Sequence, residues 1–368
     1  MPSTIPIRFR GLLHAAAALS LAMTATGCDR NLNAQGAWQG EPTLLVPAAT
    51  ATPQTLAALT LTQERDLPNA LVADHTHIYW TTEGGALRRV YKGGGAPETL
   101  AQDTRVAMGL AVDERSCFCA VQDADGNGAL LRIPKTGGVA VTIATGNIGR
   151  VSVDDARVYW VEHDPMDGTA RVMGAAKDGS GATVLMTASP SDDDTFGFAI
   201  GTDAAYLLKS RRHHEHAGLE LHGASKDGGP VSLIATSEHA SLLPGSAASD
   251  GASVAWLTWG RSLMRADLVR GVIEEVTDRN SFRGFALEPE GGILTMPMYG
   301  PGILRYPASG GDPAVVYETD SQVGHLIVDG DALAWAEWTT ECTKEHYEGK
   351  SAWCSEYLFE VQLVRAAR

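Results

Sequence analysis

The sequence predicts an all-β chain built from a four-stranded unit that repeats along almost its whole length. The clearest unit, residues 71–101, reads LVADHTHIYWTTEGGALRRVYKGGGAPETLA and alternates short apolar runs with turn residues. Aligning the chain on the second residue of Tyr79-Trp80 gives seven equivalent positions, 38 to 49 residues apart: Trp80, Cys119, Trp160, Leu207, Trp256, Leu294 and Trp335. This period is typical of propeller blades, so we expect a seven-bladed β-propeller of four-stranded blades.

The two ends of the chain are expected to share one blade. Residues 52–57, TPQTLA, closely match the fourth-strand residues 96–101, APETLA, although no earlier strand of a unit precedes them. The last unit has three strands, through Val364, and lacks a fourth. We therefore expect the N-terminal strand to complete the last blade and remove its open edges. The alternative is six blades, with the fifth or sixth unit folded as an insertion.

Two turn signals recur within the units. An aspartate stands six residues before the aligned position in five units, with Gly201 and Glu288 as the exceptions. We expect its carboxylate to accept backbone N–H bonds in the turn between strands one and two. Glycine turns such as Lys226-Asp227-Gly228-Gly229 join strands three and four, because glycine tolerates positive φ. The five aspartates are Asp74, Asp113, Asp154, Asp250 and Asp329.

The N-terminal region predicts export. Arg8 and Arg10 precede a short alanine- and leucine-rich stretch that ends Ala-Thr-Gly-Cys28, which resembles the lipobox of bacterial lipoproteins. The resemblance implies a signal peptide at 1–27, lipidation of Cys28, a polar tether at 28–41, a single propeller domain at 42–368, and a place in the cell envelope. A plain secretory signal, with Cys28 an ordinary thiol, is the alternative.

Charge and cysteines narrow the function classes. Removing the signal deletes two arginines and no acid, so the formal charge falls from −15 to −17, which disfavours nucleic acid as a partner. In an exported chain Cys342 and Cys354 are expected to form a disulfide. Cys117 and Cys119 occupy the repeat positions of Ile78 and Trp80, so we interpret them as buried small residues.

The repeat also resembles known propellers. Tyr79-Trp80-Thr81-Thr82, the preceding aspartate and the following glycine turn are similar to the repeats of YWTD, NHL and TolB-like propellers. The resemblance implies the fold and no single activity, because these families include receptors, scaffolds and some enzymes. The Tyr-Trp pair is absent from units two, four and six, and YWTD propellers usually have six blades, so no partner carries over.

The long loops hold the candidate site residues, since loop length varies mainly where strand two meets strand three and where blades join. Asp123, Asp125 and Asn127 alternate around Gly126, a pattern that favours calcium; a solvated hairpin turn is the alternative. His163, His213, His214, His216 and Trp338 are candidate ligand contacts on the same face. The histidines offer nitrogen ligands for a metal, or form a solvated polar loop.

These observations favour a binding function. We expect a monomeric, lipid-anchored envelope propeller that binds a protein, peptide or glycan. The competing hypothesis is a metal-dependent hydrolase of the propeller lactonase kind.

Overall fold

A computed structural model of the chain describes residues 53–103, 105–189, 195–212, 217–243, 245–260, 262–278, 282–298, 302–348 and 351–367. Of these residues, those between 342 and 356 fall into one compact unit and the rest into another. Regular structure in the described residues is β-sheet plus a short 3-10 helix, Glu64–Asp66. None of their helices is long and apolar enough to cross a membrane.

Five sheets have four strands each, and neighbouring strands in them are antiparallel wherever the register is described. The first runs in the order β1 (Gln54–Leu61), β27 (Ser351–Ala367), β26 (Ala332–Glu348), β25 (Gln322–Asp329). The others follow chain order: β2 (Pro68–Ala73), β3 (His77–Thr82), β4 (Ala86–Tyr91), β5 (Glu98–Gln102); β13 (Thr195–Ile200), β14 (Ala204–Arg212), β15 (Ala217–Ser225), β16 (Ser232–Ser237); β17 (Ala248–Ser249), β18 (Ser253–Leu257), β19 (Leu263–Asp267), β20 (Val272–Thr277); β21 (Phe282–Leu287), β22 (Ile293–Pro297), β23 (Ile303–Tyr306), β24 (Ala314–Tyr317).

The remaining sheet has seven strands, because one long strand serves two groups of strands. Its members are β6 (Val106–Val112), β7 (Ser116–Gln122), β8 (Gly128–Pro134), β9 (Val141–Val153), β10 (Arg157–His163), β11 (Ala170–Ala176) and β12 (Thr183–Ala188). The first part of β9 pairs with β8, from Arg132↔Val141 to Gly128↔Gly146. Its second part pairs with β10, from His163↔Asn147 to Val158↔Val153. The second and third sequence units are thus joined by a continuous strand.

The N-terminal strand completes the last sheet. β1 pairs antiparallel with β27, from Gln54↔Arg365 to Leu61↔Phe359. Leu56, which is 2% exposed, packs in one apolar cluster with Trp80 of β3 and with Ala334 and Leu363 of the last sheet. This confirms the predicted pairing of the two ends, although the strand extends four residues beyond the predicted 52–57 match.

The core lies between neighbouring sheets. All seven aligned residues sit on second strands and are at most 3% exposed, which confirms the register read from the sequence. Cys117 and Cys119 are free thiols buried in β7, packed with Tyr79, as expected for small core residues. Burial raises the pKa of Cys117 to about 12.

Candidate functional site

The turn aspartates organise one end of the sheets. Oδ1 of Asp74 accepts the main-chain N–H groups of Thr76 and His77, each at 2.7 Å. The same two bonds, to the residues two and three positions on, recur at Asp113, Asp154 and Asp250 at 2.6–3.0 Å. These bonds satisfy donors that the turn would otherwise leave unpaired, which confirms the predicted structural role for four of the five aspartates. The fifth, Asp329, accepts from the side chains of Lys92 and Arg365 instead.

A lysine from the following unit reaches each of four of these aspartates. The lysine begins the turn between the third and fourth strands of that unit, and its ammonium group lies 2.5–2.9 Å from the carboxylate. The glycines of these turns were predicted from the sequence, whereas the role of the lysines was not. The four bridges are Lys135–Asp74, Lys177–Asp113, Lys226–Asp154 and Lys92–Asp329.

Two of the bridges also include the tyrosine of the Tyr-Trp pair. The hydroxyls of Tyr79 and Tyr159 donate to Asp74 and Asp154 at 2.8 and 3.0 Å. The ammonium groups of Lys135 and Lys226 lie 5.3 and 5.6 Å from the centres of those rings, within cation–π range. Burial alone would raise the pKa of Asp154, but hydrogen bonds from Lys226, two main-chain N–H groups and Tyr159 lower it to about 2.

At the boundary between the fourth and fifth units both partners are missing. Gly201 stands where the aspartate is expected, and its N–H donates to Ala204 at 2.9 Å as that of Asp74 does to His77 at 3.0 Å. Leu268 stands where the lysine is expected, since its N–H donates to Ala252 as that of Lys226 does to Asp203. The backbone repeat is intact there, and only the ionic pair is gone.

A surface cleft of about 580 Å³ lies at this interruption. Three successive turns line it, residues 152–156, 200–202 and 249–251, together with Lys226. Its carboxylates belong to Asp154, Asp155 and Asp250, whereas Lys226 is already paired with Asp154. Within the described residues no cation pairs with Asp155 or Asp250. The cleft therefore carries net negative charge and lies at turns that the sequence analysis did not single out as a site.

Tyr206 lies against the wall of this cleft. It is the fourth-unit equivalent of Tyr79 and Tyr159, and it is 7% exposed. A Cβ atom added at Gly201 would lie 2.9 Å from the ring and 3.5 Å from the hydroxyl, so Tyr206 occupies the space that an aspartate would need. Among the described residues its hydroxyl has no hydrogen-bond partner. Burial raises the pKa of Tyr206, as do the charges of Asp203 and Asp250.

The predicted calcium loop is a turn between β7 and β8 whose polar groups bond to one another. Oδ1 of Asp123 accepts the N–H groups of Asp125 and Asn127 at 3.0 and 2.8 Å. The side-chain nitrogen of Asn127 faces the same carboxylate at 3.3 Å. No group of three or more His, Cys, Asp or Glu side chains converges as metal ligands in the described part of the chain. These contacts are those of the hairpin-turn alternative, and calcium binding here stays a prediction.

The other predicted ligand contacts are dispersed or lie outside the described residues. His163 ends β10 with its ring 6.4 Å from that of Phe196, and burial lowers its pKa. Trp338 packs beside an apolar cluster that includes Leu61 and Phe359. His213, His214 and His216 fall outside the described residues, as do Cys28 and the side chain of Cys354. Lipidation, the Cys342–Cys354 disulfide and ligand binding by the long loops stay predictions.

Comparison with known proteins shows the fold. No protein-family model matches the chain, and no curated protein matches it. The β-propeller domain of the Trilobed protease from Pyrococcus furiosus, described as having an open velcro topology, is similar with a TM-score of 0.54 at 8% identity, covering 79% of this chain and 96% of that one. The WD40 β-propeller domain of Doa1 gives 0.52 at 11% identity, with coverage of 85% and 97%. YCF48, solved bound to D1 peptide, gives 0.51 at 9% identity, with coverage of 82% and 94%. At such identities the likeness concerns the fold alone, and the chain folds as a β-propeller.

Proposed function

We propose that this protein is an envelope binding scaffold whose ligand, a protein, peptide or glycan, occupies the cleft beside Gly201. The observation that carries the proposal is the interruption of the Asp–Lys bridges at that place. Bridges join neighbouring units at four other boundaries, and one of them, Lys226–Asp154, lies in the lining of the cleft, which favours a rigid frame that needs little ordering on binding. Asp155 and Asp250 have no cationic partner among the described residues and are available to a ligand.

Binding to peptide and glycan arrays tests this function. The soluble form starting at Asp29 should retain a set of ligands, and a double variant, Asp155→Asn with Asp250→Asn, should lose them. A charge-matched control, Glu274→Gln with Glu275→Gln, removes two exposed acidic residues that do not line the cleft and should bind normally. Ligands retained equally by both double variants would place the binding surface elsewhere and overturn the proposal.

We also propose that Cys28 anchors the protein to a membrane of the cell envelope. The support is the short apolar segment that ends in small residues before Cys28, because an acylated cysteine partitions into lipid. Expressed in a bacterial host, the full chain should partition into the detergent phase of Triton X-114, and Cys28→Ser should move it to the aqueous phase. A Cys28→Ser protein that stays in the detergent phase would rule out the anchor.

Seven blades are the count we propose. Counting β9 once for each of its two partners divides the strands into seven groups of four, each with one aligned residue on its second strand. Trp256 and Leu294 lie in separate sheets, whereas the six-blade alternative places them together. An experimental density map resolving six blades would contradict the count.

A further inference from the structure

The first strands of the units form the inner ring of the propeller. They contact one another from unit to unit: β25 with β2, β2 with β6, β6 with β9, β13 with β17, β17 with β21, and β21 with β25. The side chain of Asn69 in β2 donates to the carbonyl of Ala107 in β6 at 2.7 Å. Side chains of these strands that do not pack between the sheets therefore face the central channel.

Arg150 lies in this ring, at an irregularity of β9. The register of β9 against β10 shifts so that two residues, Gly149 and Arg150, stand opposite Val161, and such a bulge re-aims side chains. Gly109 and Gly197 hold the equivalent position in the second and fourth units, where each pairs with the residue after the aligned one. A Cβ atom added at Gly109 would lie 3.2 Å from Cα of Arg150. Arg150 is thus a long side chain where both neighbouring strands have none.

The guanidinium group of Arg150 reaches past the fourth unit to the fifth. Its Nη1 atom donates to the carbonyl of Gly245 and, at 2.9 Å, to that of Ala247, in the segment before β17. The fourth unit packs against the same segment, since a Cβ atom added at Gly197 would lie 3.5 Å from Cβ of Ala247. A side chain that joins two non-adjacent units of a ring has to cross its inner side. Arg150 therefore projects into the channel.

The positive charge of Arg150 has no acidic partner among the described residues. Its hydrogen bonds there go to main-chain carbonyls alone, and desolvation by the surrounding protein lowers its pKa with no carboxylate to oppose the change. The residue is nevertheless exposed to water. Both conditions hold together for a side chain in a water-filled channel. A desolvated cation without a counter-charge is unfavourable, and a bound anion would relieve that cost.

One edge of the guanidinium group is open to a ligand. Nη1 is bonded to the two carbonyls, whereas Nε and Nη2 have no partner within the described chain. The N–H groups of Nε and Nη2 point in parallel along one edge, which is the geometry that binds the two oxygens of a carboxylate. A carboxylate also brings one negative charge against the single positive charge, whereas a phosphate dianion would bring two.

We propose that Arg150 binds a carboxylate group inside the central channel, through the edge formed by Nε and Nη2. The carboxylate belongs to a small organic acid or to the carboxyl terminus of a peptide that enters the channel. Arg150 does not line the cleft beside Gly201, so this site is separate from that cleft and the inference goes beyond the proposed function.

The Nε–H signal of Arg150 in NMR spectra of the soluble form starting at Asp29 tests the inference, and its loss in the Arg150→Lys protein assigns it. Acetate should move this signal in a saturable way, and acetamide, which has a similar shape and no charge, should not. Acetyl-trialanine with a free carboxylate, set against its carboxyl-terminal amide, tests the peptide source. No movement with either carboxylate, equal movement with the neutral probes, or tighter binding of sulfate or phosphate would overturn the inference.

Variants locate the carboxylate, with the backbone amide signals of Gly109 and Gly149 as the second readout. Arg150→Gln should weaken acetate binding at least about tenfold, and Arg150→Lys, which keeps the charge and loses the paired N–H groups, several-fold. Arg115→Gln removes one exposed arginine outside the inner ring and is the matched control, with unchanged binding expected. Undiminished binding by folded Arg150→Gln protein, or an equal loss in the Arg115→Gln protein, would contradict the site. The signal of the unaltered protein decides the matter even if a variant does not fold.

Discussion

Lys135 donates to Asp74 at 2.5 Å across the boundary between two neighbouring sheets. Both side chains are largely buried, with exposed fractions of 10% and 15%. Burial favours the neutral acid, but hydrogen bonds from Lys135, from two N–H groups and from Tyr79 hold the pKa of Asp74 well below its usual range. The carboxylate therefore fixes its own turn and the next sheet together, which links local structure to the packing of sheets.

Removing the lysine should be costly, because it leaves a largely buried carboxylate with reduced compensation. We expect Lys135→Met to lower the free energy of unfolding by about 2 kcal/mol. Chemical denaturation measures it, and a double-mutant cycle with Asp74→Asn isolates the coupling between the two side chains.

The exposed pair Arg270–Asp267 is the matched control. Its arginine side chain is 64% exposed, so Arg270→Met should change stability much less than Lys135→Met does. Equal costs for Lys135→Met and Arg270→Met would mean that the bridge between sheets contributes no more than a surface ion pair.

The stability of the folded protein should depend on pH through His325. It lies in β25 with φ of 55°, and burial lowers its pKa to about 4, although its ring N–H bond to the carbonyl of Pro68 opposes the shift. Because the folded state favours the neutral ring, this stability is fully present above the unfolded pKa of 6.5 and is lost as pH falls from there to about 4. We expect a loss of about 2 kcal/mol, discounted because the residue is only partly buried.

His325→Asn should remove that part of the pH profile, and asparagine tolerates positive φ. Thermal unfolding of both proteins between pH 7 and pH 4 measures the difference. His239→Asn, at an exposed position, should leave the profile unchanged. A profile that keeps its full slope in the His325→Asn protein would assign the dependence to other groups.

Much of the fold could be predicted from the sequence, because each repeat is encoded by a local pattern of apolar and turn residues. Alternation of apolar residues and turn signals identified the strands even in the fifth and sixth units, where Trp256 and Leu294 are completely buried. The N-terminal strand could be predicted because its sequence, TPQTLA, matches that of a fourth strand, APETLA, although it stands before the first unit. Both inferences need only short windows of sequence.

The candidate site could not be predicted in the same way, because it depends on residues that are far apart in the chain. Asp74 and Lys135 are 61 positions apart, and only the order of the sheets brings them together. The available signal was the joint recurrence of lysine and aspartate in successive units, and their joint loss at Gly201 and Leu268. The turns were interpreted through their glycines alone, so the joint recurrence of lysine and aspartate was overlooked.

Cysteine chemistry gives a further prediction. Under native conditions Cys117 and Cys119 should resist alkylation at pH 8, because burial raises the pKa of both thiols far above that pH. In the soluble form starting at Asp29, unfolding without reductant should expose two thiols, and unfolding with reductant four, as read by intact mass. Four thiols without reductant would exclude the Cys342–Cys354 disulfide, and rapid native labelling would contradict the burial.

The last prediction concerns the joining of the chain ends. Leu56 of β1 packs with Trp80 and Leu363, so it connects the first and last sequence units as well as pairing β1 with β27. Leu56→Ala should cost about 2–5 kcal/mol, the range for truncating a buried leucine. Thr55→Ala, at the neighbouring exposed position, should cost less than about 1 kcal/mol.

Deleting Gln54–Leu61 should leave the edge of β27 unpaired and promote aggregation, whereas deleting residues 29–41 should not. Analytical ultracentrifugation and denaturation curves measure both effects, and a monomeric Gln54–Leu61 deletion of normal stability would show that the last sheet does not need its N-terminal strand.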